Sequence, residues 1–449
     1  MSRRKVAVVG MGGTFPTCSN LEDFESRLFA NKSLIREWPE ASAFGKKLRS
    51  HVSGYVTPEE SGIEPVYSSM LDNYVEYYRD LSGKIPTETL ATSDLPSIWS
   101  MQGADQAVQM AGWNSSEVSS EQTAVILGSA GGGNAILRPG WHAFFEDGKK
   151  SRLLGSHNVD HAMTYREAAN VSCFLKTKGI CEGLGSACAT GLGSIGYAYR
   201  MIANGYQERA ITGAAEGTSL ESFLGFDAMS VLSRGFAPED SSRPFAADRA
   251  GFVCSFGSGI VCLENLELAE ARGAKILGVI EGYHNNADGD GDMFSPSFDG
   301  QRRLWQGLFS DAGTDAKPDV VKAHGTSTPT GDSLELNSIV SVLGSEGYLV
   351  SAPKSQFGHM LGAAGSVEFV VALLMLKHNK VSPCQNSETL SEDLEPFQKN
   401  PEWSGPGEPI AAYRNLLPTT ATSTFIERVA CLNYGFGGTN AAIMIKRYE

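Results

Sequence analysis

One cysteine lies in surroundings that suit a nucleophile. Cys188 stands in the small-residue stretch 185–193, which follows short apolar segments and precedes apolar residues at helical spacing up to residue 203. This pattern predicts a turn that opens a helix. Free N–H groups and the positive dipole end favour a thiolate there, and small neighbours admit a substrate. A cysteine among alanines and glycines also fits a small buried apolar side chain, so Cys188 needs support from elsewhere in the chain.

Two histidines supply that support. His324 follows a predicted strand, 320–323, and precedes glycine and hydroxyl residues, whereas His359 precedes a glycine- and alanine-rich turn and an apolar helix from residue 367. A single histidine is more often structural than catalytic. Two of them at strand-to-helix turns favour the catalytic interpretation, because active sites of α/β proteins collect at such ends.

The elements that must position these residues alternate between strand and helix patterns. Apolar runs predict strands at 5–9, 123–127, 209–213, 276–283, 320–323 and 441–445, and helical spacing predicts helices at 21–29, 97–111, 228–232 and 266–272. Residues 250–253 and 258–263 are interpreted as a hairpin-like pair, and 141–161 fits a solvated loop. Both halves end in a glycine turn and a final strand, which indicates an internal duplication.

Composition limits the classes of function. The chain has 449 residues, 41% of them hydrophobic, and a formal net charge of -14, which argues against nucleic acid or an anionic membrane as the main partner. Eight scattered cysteines show no metal-ligand spacing, as expected of a reduced compartment. The Gly-rich turn at 10–13 lacks the complete dinucleotide-binding pattern. The apolar run 367–376 is shorter than a membrane span. We therefore expect a cytoplasmic protein without metal or membrane.

Several blocks, in this order along nearly the whole chain, resemble the elongating, Cys-His-His type of beta-ketoacyl-acyl-carrier-protein synthase of the thiolase superfamily. They are 186–188, 242–245, 248–253, 324–329, Lys354 five residues before His359, 362–365 and 435–440. The resemblance implies an α/β fold, a thiolase-like five-layered α/β/α/β/α sandwich from two pseudo-duplicated halves. Residues 1–264 would carry the nucleophile, with a surface excursion at about 35–95, and residues 265–449 would carry both histidines.

The resemblance also implies a reaction. Cys188 would attack an acyl thioester, with the backbone N–H groups of Cys188 and Phe436 forming the oxyanion hole. A malonyl thioester would then lose its carboxylate while His324 and His359 donate hydrogen bonds to the thioester oxygen. The resulting enolate would attack the acyl-enzyme and give a beta-ketoacyl thioester two carbons longer.

Further site residues follow from the same resemblance. Lys354 joins the catalytic set, Glu335 and Asp332 give structural support, and the substrate is bound by Thr326, Thr328, Tyr434 and Phe436. The enzyme binds no cofactor or metal, since its substrates travel on the phosphopantetheine of an acyl carrier protein.

Two departures from the family pattern concern specificity. Relatives carry basic residues after the excursion that grip the carrier protein, but residues 85–98 contain none here. The candidate docking residues are instead Lys149, Lys150, Arg152 and Arg234. Tyr434 stands where phenylalanine is common at the acyl-pocket gate. Primary fatty-acid synthesis and a type II polyketide or polyene pathway both remain compatible.

An alternative assigns the chain to a heterodimer. A catalytic or chain-length-determining subunit could be inactive without a related ketosynthase-like partner, although the retained Cys188, His324, His359 and Lys354 favour the condensing enzyme. The family resemblance implies a dimer along a sheet edge, and both homodimer and heterodimer fit the sequence.

Overall fold

A computed structural model describes residues 3–67, 75–91, 93–131, 134–146, 148–290, 293–313, 317–391, 394 and 413–449. The strands are β1 (Val6–Thr14), β2 (Arg36–Glu37), β3 (Val52–Ser53), β4 (Ile63–Tyr67), β5 (Val75–Asp80), β6 (Thr123–Gly128), β7 (Cys181–Leu184), β8 (Arg209–Glu216), β9 (Gly257–Asn265), β10 (Gly278–Ala287), β11 (Val320–Lys322), β12 (Leu349–Ser351), β13 (Lys380–Val381), β14 (Thr422–Ser423), β15 (Arg428–Gly435) and β16 (Thr439–Lys446). The α-helices are α1 (Leu21–Phe29), α2 (Pro39–Ser42), α3 (Pro58–Ser61), α4 (Thr87–Ala91), α5 (Leu95–Ala111), α6 (Ser115–Val118), α7 (Asn134–Glu146), α8 (Asn158–Ala162), α9 (Arg166–Leu175), α10 (Thr190–Ala203), α11 (Leu220–Ala228), α12 (Leu266–Ala271), α13 (Phe298–Ala312), α14 (Pro329–Leu343), α15 (Lys354–Phe357) and α16 (Ala364–His378).

The main sheet consists of two five-stranded halves with the same topology. One half has the order β1-β9-β8-β6-β7 and the other β10-β16-β15-β11-β12. In both, the first two pairings are antiparallel and the last two are parallel. The halves join through a short antiparallel pairing of β1 with β10, in which Val6 lies opposite Ile280. The pseudo-duplication is confirmed. The exact division into 1–264 and 265–449 stays a prediction.

Helices complete five layers. Helix α5 covers β1, β9 and β8 on one outer side, and α13 covers β10 and β16 on the other. Helices α10 and α16 pack on each other and contact strands of both halves, so they form the central layer. The run Leu361–His378 is long and apolar enough to cross a membrane, but 89% of that window is buried. This segment is therefore a buried core helix. The α/β/α/β/α prediction is confirmed.

Four local expectations differ from the structure. Residues 228–232 do not form a helix, because α11 ends at Ala228 and Leu232 pairs with Phe252 in an isolated bridge. Residues 250–263 do not form a hairpin, because β9 lies between β1 and β8 while Phe252 runs beside Leu232. Residues 141–161 contain the end of α7, a 3-10 turn and α8 rather than a loop. The excursion at 35–95 carries short elements and is anchored by buried Trp38, whose ring meets those of Phe223 and Phe256 at 5.2 and 5.8 Å.

The glycine-rich stretch at 10–13, predicted as a turn, is part of β1 and packs closely against a helix. Strand β1 continues through it to Thr14, with a register shift between Val8 and Gly10. A Cβ on Gly10 would lie 2.1 Å from the Ala107 carbonyl oxygen of α5. Glycine here permits the close approach of α5 and β1. The glycines at 10–13 are therefore accounted for by helix packing and not by phosphate binding.

Candidate active site

One cavity of about 510 Å³ collects most of the predicted site residues. Its lining includes Cys188, His324, His359, Thr326, Thr328, Glu335, Tyr434, Phe436 and Arg234. The described part of the chain contains no cluster of His, Cys, Asp or Glu suited to a metal. The cavity therefore places the thiol and both imidazoles around one space large enough for a small ligand group.

The turn that carries Cys188 is held by local hydrogen bonds. Cys188 lies in the 3-10 turn Ala187–Ala189, which runs directly into α10. The Thr190 hydroxyl donates to the Ala187 carbonyl oxygen at 2.7 Å and accepts from the Ser186 N–H at 2.8 Å. The predicted position at a helix N-terminus thus agrees with the observed geometry, with the 3-10 turn placed ahead of the helix.

The Gly435–Phe436 turn lies against the nucleophile turn. The Phe436 backbone N–H acts on the Cys188 sulfur and lowers its pKa, and the Thr439 hydroxyl donates to the Ser186 carbonyl oxygen at 3.0 Å. A Cβ on Gly435 would lie 2.6 Å from that carbonyl oxygen and 3.1 Å from the Cys188 nitrogen. Glycine therefore lets the 435–436 turn approach the Cys188 backbone N–H closely, as the predicted pair of oxyanion donors requires.

The electrostatics of Cys188 differ from the sequence expectation of a favoured thiolate. Removal of water around the sulfur raises the pKa of Cys188 to about 12, although Lys354 and the Phe436 N–H act in the opposite direction. Burial therefore outweighs the favourable donors, because a charged sulfur is costly away from water. The raised pKa favours the thiol in the resting site, although Cys188 is half-buried and reaches the cavity.

His324 is fixed from behind by two donors. Its Nδ1 lies 3.2 Å from Lys354 Nζ and 3.1 Å from Asn433 Nδ2. An ammonium and an amide NH₂ can only donate, so Nδ1 accepts and the ring proton is on Nε2. Burial, and then the nearby Lys354, lower the pKa of His324 well below its usual value. His324 is thus a neutral hydrogen-bond donor toward the cavity.

Lys354 and Glu335 support the His324 loop. Lys354 donates to the His324 carbonyl oxygen at 2.5 Å and pairs with Glu368. Glu335 accepts from the backbone N–H groups of His324 and Gly325 at 2.5 and 2.7 Å. Lys354 is buried and absent from the cavity lining. Lys354 therefore lies behind His324, and its place in the catalytic set stays a prediction.

His359 is held by its backbone instead. Its N–H donates to the Val253 carbonyl oxygen at 2.7 Å, and its own carbonyl oxygen accepts from the Ser255 N–H at 2.9 Å. The His359 ring is perpendicular to that of His324, with centroids 5.2 Å apart. Burial, followed by Lys354, lowers the pKa of His359 well below its usual value. Both imidazoles are neutral near pH 7.

The two predicted substrate-binding threonines belong to a braced loop. Thr326 and Thr328 share a hydrogen bond between their hydroxyls at 3.0 Å. Asp332, fully buried, accepts from the N–H groups of Ser327 and Phe245 at 3.1 and 2.8 Å. Burial raises the pKa of Asp332 to about 6, against the opposing effect of a nearby arginine. Asp332 thus lies in the supporting position that the resemblance implied.

The remaining predicted site residues, Tyr434 and the four docking residues, lie in different places relative to the cavity. Tyr434 lines the cavity, and its ring meets that of His324 at 5.8 Å. Arg234 is exposed and also lines the cavity, so it lies at the mouth. Lys149, Lys150 and Arg152 are exposed but do not line the cavity. Of the four candidate docking residues, only Arg234 lies at the entrance.

Sequence reasoning missed four buried polar residues that hold the site: Lys322, Glu368, Asn433 and Glu216. Glu216 accepts from the Ser129 hydroxyl and from the N–H groups of Ala130, Gly131 and Gly362 at 2.6–3.0 Å. Glu216 thereby connects the turn after β6 to the turn before α16. The available signal was a charged residue inside an apolar strand or helix, since such residues are buried only with partners.

The chain is similar to known proteins along most of its length. Residues 3–269 match the family described as Beta-ketoacyl synthase, N-terminal domain, and residues 277–388 match its C-terminal domain. The chain is 32% identical to 3-oxoacyl-acyl-carrier-protein synthase 1 of Haemophilus influenzae, over 99% of this chain and 100% of that protein. Among solved structures, a beta-ketoacyl synthase from Burkholderia phymatum superposes with a TM-score of 0.83 at 27% identity, covering 99% of this chain and 100% of that one. The ishigamide ketosynthase/chain length factor, at 23% identity, TM-score 0.83 and full coverage of both chains, shows the shared fold.

Proposed function

The chain belongs to the beta-ketoacyl synthase family, and from this premise we propose that it condenses an acyl group on Cys188 with a malonyl group carried by an acyl carrier protein. The observation that carries the proposal is the convergence of the Cys188 thiol, the Phe436 N–H and two neutral imidazoles around one cavity. Synthases of this family use no bound cofactor, because the carrier protein delivers the acyl groups.

The first half-reaction transfers the acyl group. The Cys188 sulfur attacks the thioester carbonyl carbon, and the thiol proton is transferred to the departing pantetheine sulfur. The acyl group is then bound to the enzyme, and the carrier protein leaves with a free thiol. The N–H groups of Cys188 and Phe436 stabilise the oxyanion of the tetrahedral intermediate. A raised thiol pKa suits this exchange, because no isolated thiolate has to persist in the apolar site.

The second half-reaction forms the carbon–carbon bond. The malonyl thioester loses CO₂, and the electron pair of the broken bond forms an enolate whose oxygen accepts hydrogen bonds from His324 and His359. The enolate carbon attacks the acyl-enzyme, Cys188 leaves as a thiolate, and one proton from solvent restores the thiol. Neutral imidazoles suit this step, because they donate without the cost of a buried positive charge.

Carrier docking, assembly and location belong to the proposal as well. Arg234 at the cavity mouth would meet an acidic carrier protein, with Lys149, Lys150 and Arg152 as a second basic group.

The exposed edge strand β7 offers an edge for a second ketosynthase chain, either identical or related. Free cysteines throughout the described chain fit the cytoplasm.

The direct test is reconstitution with purified acyl-carrier and malonyl-carrier proteins over a range of acyl lengths. We expect CO₂ release and a product two carbons longer, which also identifies the preferred chain length. Cys188→Ala should give no acyl-enzyme and no product, and Cys173→Ala is its matched control, because Cys173 is exposed and does not line the cavity. Product that appears only after a related ketosynthase chain is added would establish the heterodimeric alternative. No acyl-enzyme and no product in either setting would refute the proposal.

A further inference from the structure

A second buried lysine, Lys322, stands one layer behind His324. Glu368 is paired with two ammonium groups, Lys354 at one carboxylate oxygen and Lys322 at the other, and all three side chains are at most 1% exposed. A second buried carboxylate, Glu335, acts on both lysines through its charge but accepts hydrogen bonds from the His324 and Gly325 N–H groups. A further buried charge is costly, so Lys322 is expected to have a use beyond pairing with Glu368.

The hydrogen bonds of Lys322 lead toward the reaction centre. Besides Glu368, its ammonium group donates to the Leu432 carbonyl oxygen at 2.6 Å and to Asn433 Oδ1 at 2.9 Å. Each of the three N–H donors of the Lys322 ammonium group therefore has an acceptor. The hydrogen bond to Asn433 matters most. Because an ammonium group can only donate, it fixes the amide oxygen of Asn433, and not the NH₂ group, toward Lys322.

Asn433 transmits this orientation to His324. With Oδ1 turned to the Lys322 ammonium group, Nδ2 donates to His324 Nδ1 and to Glu368 Oε2, both at 3.1 Å. If the amide were reversed, an oxygen would face His324 Nδ1 and would favour a proton there. Lys354 would still donate to Nδ1, but the preference of His324 for the Nε2 proton that it presents to the cavity would weaken.

We propose that Lys322 is a positioning residue that fixes the Nε2–H tautomer of His324 through the side-chain amide of Asn433. The inference rests on the proposed function, since it assigns the support of a hydrogen bond that the condensation requires. The alternative is a purely structural counter-ion for Glu368, whose removal would lower stability without changing the His324 tautomer.

The test replaces Lys322 in two ways. Lys322→Met removes both charge and donor, whereas Lys322→Gln keeps a neutral donor of similar length for Asn433 Oδ1. The matched control is Lys377→Met, at a surface lysine that pairs with Glu25. We expect Lys322→Met to slow malonyl decarboxylation roughly tenfold to a hundredfold, with acyl transfer to Cys188 within about threefold of the unmodified protein. Lys322→Gln should recover most of that loss.

The tautomer is measured independently of activity. Long-range ¹H–¹⁵N correlation spectra of ¹⁵N-histidine-labelled protein, with His324 assigned by its loss in His324→Asn, should show Nε2–H alone in the unmodified protein and both tautomers in Lys322→Met. If Lys322→Met does not fold, Lys322→Ala in the Glu368→Gln background serves as the donor-free variant. Unchanged tautomer and decarboxylation rate in a folded donor-free variant would overturn the inference. Because the spectrum needs no turnover, failure of the proposed function leaves this test intact.

Discussion

Ala187 and Leu361 share the same rare backbone conformation, with φ of 48° and 47°. Each begins a 3-10 turn that leads into a helix of the central layer. Residues with side chains seldom adopt positive φ, so the repetition reflects the duplicated fold and not chance. The following residue is Cys188 in one half and Gly362 in the other. One turn therefore presents the nucleophile, while the other directs its Gly362 N–H to Glu216 at 2.9 Å.

The contact between the Gly435 and Cys188 turns predicts that Gly435→Ala impairs catalysis more than folding. The new Cβ would meet backbone atoms of Ser186 and Cys188 at 2.6 and 3.1 Å and force the oxyanion donors apart. Loss of one such donor costs roughly 100-fold to 1,000-fold in rate. Acyl-enzyme formation measured by intact mass should fall by that order. Gly225→Ala, where no atom lies within 4 Å, is the control, and equal rates in both variants would exclude this geometry.

The raised pKa of Cys188 predicts its reactivity toward alkylating agents. With a pKa of about 12, the thiolate fraction at pH 7 is on the order of 10⁻⁵, and it increases about tenfold for each pH unit. The iodoacetamide rate at Cys188, followed by peptide mass, should therefore rise steadily from pH 7 to pH 10. A plateau beginning near pH 7 would show instead that the helix dipole has stabilised the thiolate.

The buried neutral His359 predicts a loss of stability in acid. Its folded pKa is lowered, whereas the unfolded value is about 6.5. Below pH 6.5 the unfolded chain therefore binds a proton that the folded protein does not bind, and the free energy of unfolding falls with falling pH. Between pH 7.5 and 5.5 the unmodified protein should lose about 1.4 kcal/mol more than His359→Asn, measured by urea unfolding at each pH. Equal losses in the two proteins would mean that His359 is already protonated in the folded state, which would contradict its lowered pKa.

Arg234 at the cavity mouth predicts a salt-dependent effect on carrier binding. Arg234→Glu should raise the KM for acyl-carrier protein roughly tenfold with little change in kcat, and the difference should shrink at high ionic strength. Lys47→Glu, at another exposed position, is the matched control. If charge reversal at Lys149 and Lys150 has the larger effect, the carrier docks on that segment instead.

Much of this arrangement could be predicted from sequence because its signals are local. Glycine turns between apolar strands and helices mark Cys188, His324 and His359 within a few residues of each side chain. The Lys322–Glu368 pair joins positions 46 residues apart, and its link to Asn433 spans 111. Spacing rules extend over one or two helical turns, so they do not reach such contacts. The hairpin error at 250–263 has the same cause, since the partners of β9 are the distant β1 and β8.

The central claim is a division of labour between Cys188, which carries the acyl group, and the histidines, which stabilise the enolate. Separate assays of the two half-reactions test it most directly: intact mass for acyl-enzyme formation and ¹⁴CO₂ release for malonyl decarboxylation. Cys188→Ala should form no acyl-enzyme and retain part of its decarboxylation, whereas His359→Ala should form acyl-enzyme and release little CO₂. Condensation that continues unchanged in Cys188→Ala would contradict the mechanism.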